Sequence, residues 1–258
     1  MSTLPYGPPF LSSLQILQTI QRPIQNAINI GASDGISDDP LYPVFEVGAG
    51  GLLIEPNVEK FSRLCNNIKK PHKICEFARP DTILKIIKSF DVLPVNAISI
   101  DIDSYDHYIM QEVATLQADL LMIEINESMP PHIFFYLLYD PDYIWSNGRF
   151  FGCSLTCADF IARHHGYELI QLDWNVAYFV RSRFANLFGQ KTVSQAWNEG
   201  YWNRSGRAAA YWWDNPVDLT SLKPKDQLEN VNRCLSDFSG RYYASLISDI
   251  SPEFTIGG

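Results

Sequence analysis

Residues 26 to 35, Asn-Ala-Ile-Asn-Ile-Gly-Ala-Ser-Asp-Gly, run from a short apolar strand straight into a turn of small residues. A second apolar strand, Gly51-Leu-Leu-Ile54, ends on an acid, Glu55, followed by Pro56. A glycine turn after one strand and an acid after the next is the layout of one edge of a parallel α/β sheet. There backbone can approach a nucleotide-type ligand, and a carboxylate can accept both hydroxyl protons of a ribose.

The alternation continues through the first two-thirds of the chain. Leu14, Ile16, Leu17 and Ile20 have helical spacing, and Pro23 stops that helix. Strand one is expected over 27–30, and a helix start at Ser37-Asp-Asp-Pro40. Strand two covers 51–54, and Asn57 caps a helix to Ile68. Strand three is read at 73–77, followed by a helix that Asp81 caps. Strand four, 97–102, is apolar up to its acids, as suits a strand covered on both faces. A helix over 105–116 leads to strand five at 120–125. These crossovers predict a doubly wound, mostly parallel sheet.

After Pro130-Pro131 and a run of aromatics, Ser154 to His165 is helical again. Two strand-like runs follow, 167–172 and 176–181, joined by Asp173-Trp174-Asn175 at hairpin spacing. The sheet is therefore expected to end in an antiparallel hairpin. The division read from the sequence is an α/β domain over 1–183, with 128–150 as a lid-like insertion, and a helical, aromatic-rich appendage over 184–258. The insertion reads equally as an acceptor-stacking surface or a hydrophobic minicore. The Trp-rich tail reads as packing or as a homodimer contact.

Composition narrows the partners. With 20 Lys and Arg against 29 Asp and Glu, the net charge is −9, and no basic run occurs. That argues against a nucleic-acid backbone as partner. Met1 to Phe10 has no positive segment and no long apolar stretch, so neither a signal peptide nor a membrane span is read. Five cysteines form no disulfide or zinc pattern. Cys153 and Cys157 are expected to be reduced core residues of a cytoplasmic protein.

Taken together, Asn29-Ile-Gly-Ala-Ser-Asp-Gly35, Asp39-Pro-Leu-Tyr-Pro43, Gly51-Leu-Leu-Ile-Glu-Pro56, Ile100-Asp-Ile-Asp103, Phe151-Gly-Cys-Ser-Leu155, Gly166-Tyr-Glu-Leu169 and Asn175-Val-Ala-Tyr-Phe-Val-Arg181 resemble the FkbM-like branch of class I S-adenosylmethionine-dependent methyltransferases. The resemblance covers about residues 24 to 183. It implies a Rossmann-like methyltransferase fold, with Asn29, Gly31 and Ser33 in the turn that cradles the methionine part of S-adenosyl-L-methionine. Glu55 would hold the ribose. Asn29 stands where that branch usually has an acid, and Ser33 where glycine is common. The chain also lacks a full Gly-x-Gly-x-x-Gly fingerprint. An acidic helix start suits a positive sulfonium better than a pyrophosphate.

The second cluster is Asp101-Ile-Asp103-Ser-Tyr-Asp106-His107, next to Glu124-Ile-Asn126-Glu127 at the end of strand five. Acids crowded at an apolar strand end need pairing, water or a cation. The pattern looks similar to cation-dependent O-methyltransferases. On that likeness Asp101, Asn126 and Glu127 would ligate Mg2+, and Asp103 or His107 would take a hydroxyl proton. The plainer alternative is that Asp103 and Ser104 cap the next helix and Asp101 meets the cofactor without metal. The activity implied is O-methylation of a small molecule or glycoside. A catalytically silent binding module is the alternative, and an NAD-dependent oxidoreductase a weaker third.

Overall fold

A computed structural model describes residues 10–146, 148–207, 221–251 and 253–256. Helix α1 (Ser13–Ile20) begins at Ser12, whose hydroxyl caps the Gln15 N–H while the Gln15 side chain returns to the Ser12 N–H. The chain then alternates: β1 (Asn26–Ile30), α2 (Tyr42–Glu46), β2 (Gly50–Ile54), α3 (Val58–Asn67), β3 (His72–Ile74) and α4 (Ile83–Lys88). It continues through β4 (Ala97–Ile100), α5 (Asp106–Val113), β5 (Leu120–Glu124) and β6 (Ile133–Leu137). The remainder is α6 (Leu155–His164), β7 (Tyr167–Asp173), β8 (Val176–Arg181), α7 (Val193–Trp197), α8 (Pro224–Cys234) and β9 (Tyr242–Leu246).

Seven of these strands form one sheet in the order β3-β2-β1-β4-β5-β8-β7. All neighbours are parallel except β8, which runs antiparallel to both β5 and β7. Strand order reverses between β1 and β4, and the crevice beyond their carboxyl ends is the switch point where ligands bind in open α/β sheets. The expected terminal hairpin is present. Its turn is tighter than the three-residue link read from the sequence, because Asp173 already pairs with Val176 and Trp174 takes φ 54°.

Alternation along the strands divides the core into two layers. Ile28, Ile30, Leu52, Ile54, Ile98, Ile100, Leu121 and Ile123 face α4, α5 and α6. Ala27, Leu53, Ala97, Leu120 and Met122 face α1, α2 and α3. Both faces of the parallel strands are covered, which is why they read as continuous apolar runs.

Two helix starts differ from the sequence reading. Helix α2 begins at Tyr42, not at Ser37-Asp-Asp-Pro40, because Asp34 and Asp39 spend their carboxylates on loop N–H groups instead. Helix α4 is preceded by Thr82, with no side-chain cap, so Asp81 does not serve as one. Asn57 does cap α3, accepting from the Glu59 and Lys60 N–H groups at 3.0 Å each.

The insertion and the tail meet in a second sheet, in which β6 pairs antiparallel with β9. Every residue of β6 is buried, so this part of the expected lid is core. Trp197 and Tyr201 are fully buried within the chain. The Trp197 indole donates to the Glu127 carbonyl at 2.8 Å, tying the tail to the end of β5. The tail's Tyr211, Trp212 and Trp213 lie outside the described residues. No helix among the described residues is long and apolar enough to cross a membrane.

Candidate active site

Register builds the site. Ile30 pairs with both Ile54 and Ile100, and Ile100 pairs with Ile123. One position further along each strand stand Glu55, Gly31, Asp101 and Glu124, which makes them one row across the carboxyl edge of the sheet. Gly31 is the gap in that row. Its φ is 86°, and a Cβ there would lie 1.6 Å from the Asp101 carbonyl oxygen. Only glycine lets the β1 turn come so close to β4.

Glu55 is 4% exposed. One carboxylate oxygen accepts the Ser33 N–H at 2.8 Å, and the other accepts the Asn57 N–H at 2.8 Å. A carboxylate has about four acceptor directions, so lone pairs remain for hydroxyl groups. Ser33 itself holds φ 47°, the left-handed region where glycine is easier. The departure at Ser33 is thus accommodated by backbone held from Glu55.

The other departure, Asn29, is also provided for. Its amide donates to Asp39 at 2.7 Å, and the second Asp39 oxygen accepts the Leu41 N–H at 2.8 Å. The loop after β1 therefore returns a carboxylate to the place beside β1. Burial pushes the Asp39 carboxyl up to about 7, against the pull of its hydrogen bonds to Leu41 and Asn29.

The 101–106 turn folds around Asp106, which is fully buried and accepts the Ile102 N–H at 2.7 Å and the Ser104 N–H at 2.9 Å. The helix-capping alternative for Asp103 and Ser104 does not hold: α5 begins after Tyr105 with no side-chain cap. Asp103 takes φ 57°, a conformation Asp tolerates better than most residues. Asp101, Asp103 and Glu124 bring carboxylate oxygens within 4.8 Å of one another. Asp101 is open to solvent on one side but walled by protein on the others. Those walls, and then the charge of Asp103, raise its carboxyl to about 7, while Glu124 and Lys60 pull it down. Asp103 is raised by burial, with Lys60 opposing. Glu124 is raised well above the usual range by burial and by Asp101 and Asp103. Asn175 of the hairpin turn fixes Glu124 with a 2.6 Å bond to Oε1.

Glu124 is the residue the sequence reading passed over in favour of Asn126 and Glu127. The Asn126 amide is committed to the Arg149 and Phe151 carbonyls at 2.7 and 3.2 Å, and its oxygen accepts from Ser128 at 2.6 Å. Asn126 and Glu127 are both fully buried. Asn126 thus anchors the end of the insertion and the Glu127 carbonyl anchors the tail, while Asp101 is joined by Asp103 and Glu124. A signal for Glu124 was available, since Ile-Ser-Ile-Asp and Leu-Met-Ile-Glu end adjacent strands on acids at the same place.

His107 is likewise brought elsewhere. It is fully buried in α5, its ring 4.3 Å from Tyr108 and 5.2 Å from Tyr136. Burial lowers its pKa to about 3 despite the Leu137 backbone. His107 is sealed from solvent, whereas Asp101 is exposed and Asp103 partly so.

No protein-family model and no curated protein matches the sequence. Solved structures do. The chain is similar to a Staphylococcus aureus protein described as a caffeoyl-CoA O-methyltransferase, at 14% identity and TM-score 0.43, over 67% of this chain and 85% of that one. It is similar to S-adenosylmethionine-bound CalS10, an amino pentose methyltransferase from Micromonospora echinaspora, at 10% identity and TM-score 0.39, over 64% and 86%. The plantazolicin methyltransferase BamL, solved with S-adenosylhomocysteine, matches at 12% identity and TM-score 0.33; the chain spans 44% of its length, through 44% of its own. The strand order with its antiparallel β8 is that of the Rossmann-like methyltransferase fold.

Proposed function

We propose that this chain is an S-adenosylmethionine-dependent methyltransferase acting on a hydroxyl of a small molecule or glycoside. The row Glu55–Gly31–Asp101 carries the reading: a buried carboxylate with spare lone pairs, a gap only glycine allows, and an acid beyond it, all at the switch point. Glu55 would accept the two ribose hydroxyls. The Gly31–Ser33 turn would lie along the methionine half, with Asn29 beneath it and Asp101 beside the sulfur. The acid cluster fits a ligand with a positive charge, since crowded carboxylates gain from a cation among them.

When bound, the cofactor would supply a methyl group already activated by its positive sulfur. What remains for the protein is positioning and a base. Asp103 would take the acceptor hydroxyl proton as the oxygen forms its bond to the methyl carbon. The carbon–sulfur bonding pair would remain with the sulfur, so the protein would need no acid to protonate a leaving group.

A cation-assisted version is favoured by one observation, the convergence of Asp101, Asp103 and Glu124. Hard oxygen ligands of this kind suit Mg2+. Those three residues would hold it and orient the acceptor oxygen.

Calorimetric titration with S-adenosylmethionine, first in EDTA and then in Mg2+, tests the reading. Expected are binding in EDTA and its loss in Glu55→Ala. Heat that requires Mg2+ and disappears in Glu124→Gln would favour the cation-assisted version. No binding in either buffer would sink the enzyme reading and leave a silent binding module.

A further inference from the structure

A cavity of about 330 Å³ lies between the insertion and the tail, lined in part by Leu137, Tyr139, Asp140, Tyr143, Phe150 and Arg241. It adjoins the acid turn. The Tyr139 ring meets Tyr105 edge-on at 4.9 Å and Tyr108 at 5.8 Å. Burial raises the Tyr143 phenol, with Arg241 opposing and the Asp103 charge adding to the rise. Tyr143 also donates to the Phe150 carbonyl, which fixes its ring against the Phe150 edge. Neither segment makes this cavity alone: Leu138 N–H bonds the Arg241 carbonyl at 2.9 Å, continuing the β6–β9 pairing.

Its chemistry is specific. Arg241 pairs with Asp140 at 3.1 Å, and both side chains are almost half exposed at the mouth. The guanidinium also lies 5.5 Å from the Tyr143 ring centre and 5.7 Å from that of Phe150. The pair offers fixed donors and acceptors side by side with no net charge. A charged ligand finds no uncompensated partner there, whereas adjacent hydroxyl groups find one donor and one acceptor each. The aromatic faces suit the C–H face of a ring. The volume is at the small end of ligand sites, which run from about 300 Å³ upward.

We infer that this cavity is the acceptor site and that it takes a neutral, polyhydroxylated ring of the sugar class, presenting one hydroxyl toward Asp103. The inference rests on the methyltransferase reading for its purpose, but its binding step stands by itself.

The test is saturation-transfer NMR on the full chain with methyl pyranosides, glucuronate, glucosamine and catechol, with and without S-adenosylhomocysteine. Neutral methyl pyranosides should bind best. Their Kd should rise at least fivefold in Asp140→Asn and Tyr139→Leu, with the melting temperature and S-adenosylhomocysteine affinity unchanged. Two variants of different kind keep the result readable if one fails to fold. Preference for glucuronate, glucosamine or catechol, no pyranoside signal at 10-fold the usual probe excess, or binding indifferent to both substitutions would overturn the inference. Pyranoside binding in a protein that ignores S-adenosylhomocysteine would uphold this site while removing the methyltransferase reading.

Discussion

Asp101 and Glu124 stand side by side because the residues before them, Ile100 and Ile123, are partners in parallel register. With Asp103 they form a cluster whose oxygens lie within 4.8 Å. Like charges so close cannot all ionise at once, and the cluster titrates as a unit. In the proposed reaction, methyl transfer that needs Asp103 as a free carboxylate base should therefore rise with pH, with a midpoint above the ordinary carboxylate range, because burial raises Asp103 against the pull of Lys60. Below that midpoint the proton is retained and the base is absent. Asp103→Asn should lower kcat by about 10²–10⁴. Asp101→Asn removes a like charge and should move the midpoint to lower pH, read at saturating cofactor. A pH-independent kcat in the wild type would remove the carboxylate base.

Gly31→Ala is expected to cost roughly 3 kcal/mol or more, because the new methyl meets the Asp101 backbone carbonyl and the Ile102 side chain and the φ is left-handed. Urea denaturation reads this directly. A loss below about 1 kcal/mol would mean that β1 and β4 can part at that point.

Asn29 and Asp39 make a swap experiment. Asn29→Asp alone sets two carboxylates in contact where the structure has an amide donor 2.7 Å from an acceptor. It should destabilise by about 2–4 kcal/mol at pH 8 and less at pH 5, where one of the two is protonated. Adding Asp39→Asn restores a donor–acceptor pair with the partners exchanged and should recover most of the loss. Additive losses in the double variant would show that the two side chains do not depend on each other.

His107 provides a pH test of stability. Its folded pKa lies at about 3, below the ordinary 6.5 of the unfolded chain. As pH falls through 6.5 the unfolded state takes up a proton that the folded state refuses, so stability present above 6.5 is lost toward pH 3. From pH 7 to 5 the wild type should lose about 2 kcal/mol that His107→Leu does not lose. Parallel stability curves for the two proteins would contradict a sealed imidazole.

Trp197 is the tail's anchor: fully buried, bonded to the Glu127 carbonyl at 2.8 Å and stacked on Trp202 at 5.0 Å. Trp197→Ala should cost about 3–5 kcal/mol. If calorimetry instead finds an unchanged melting temperature, the tail is energetically separate from the sheet.

Much of the candidate site's placement at the strand ends was legible because it is local. Gly31, Ser33, Glu55 and Asp101 are fixed by where strands end, and strand ends are marked by apolar runs giving way to glycine or acid. The short β3 and the late start of α2 were harder, since Asp34 and Asp39 bond loop N–H groups that a helix start would otherwise use. Asn126 and Glu127 follow from the likeness to cation-dependent O-methyltransferases, and His107 from its place in the acidic segment after strand four. Sequence distance does not say which side of a strand or helix faces the cleft.

The alternating strands and helices, the antiparallel ending and the glycine–acid pair can be read from periodicity and turn chemistry within some twenty residues. That Glu124 joins Asp101, that Asp39 reaches Asn29, and that β9 closes against β6 beside a cavity lined by Tyr139 and Arg241 emerges only from the folded chain. Those relations depend on register and on contacts between segments far apart in the chain, where the free energy of packing, not local preference, selects the partner.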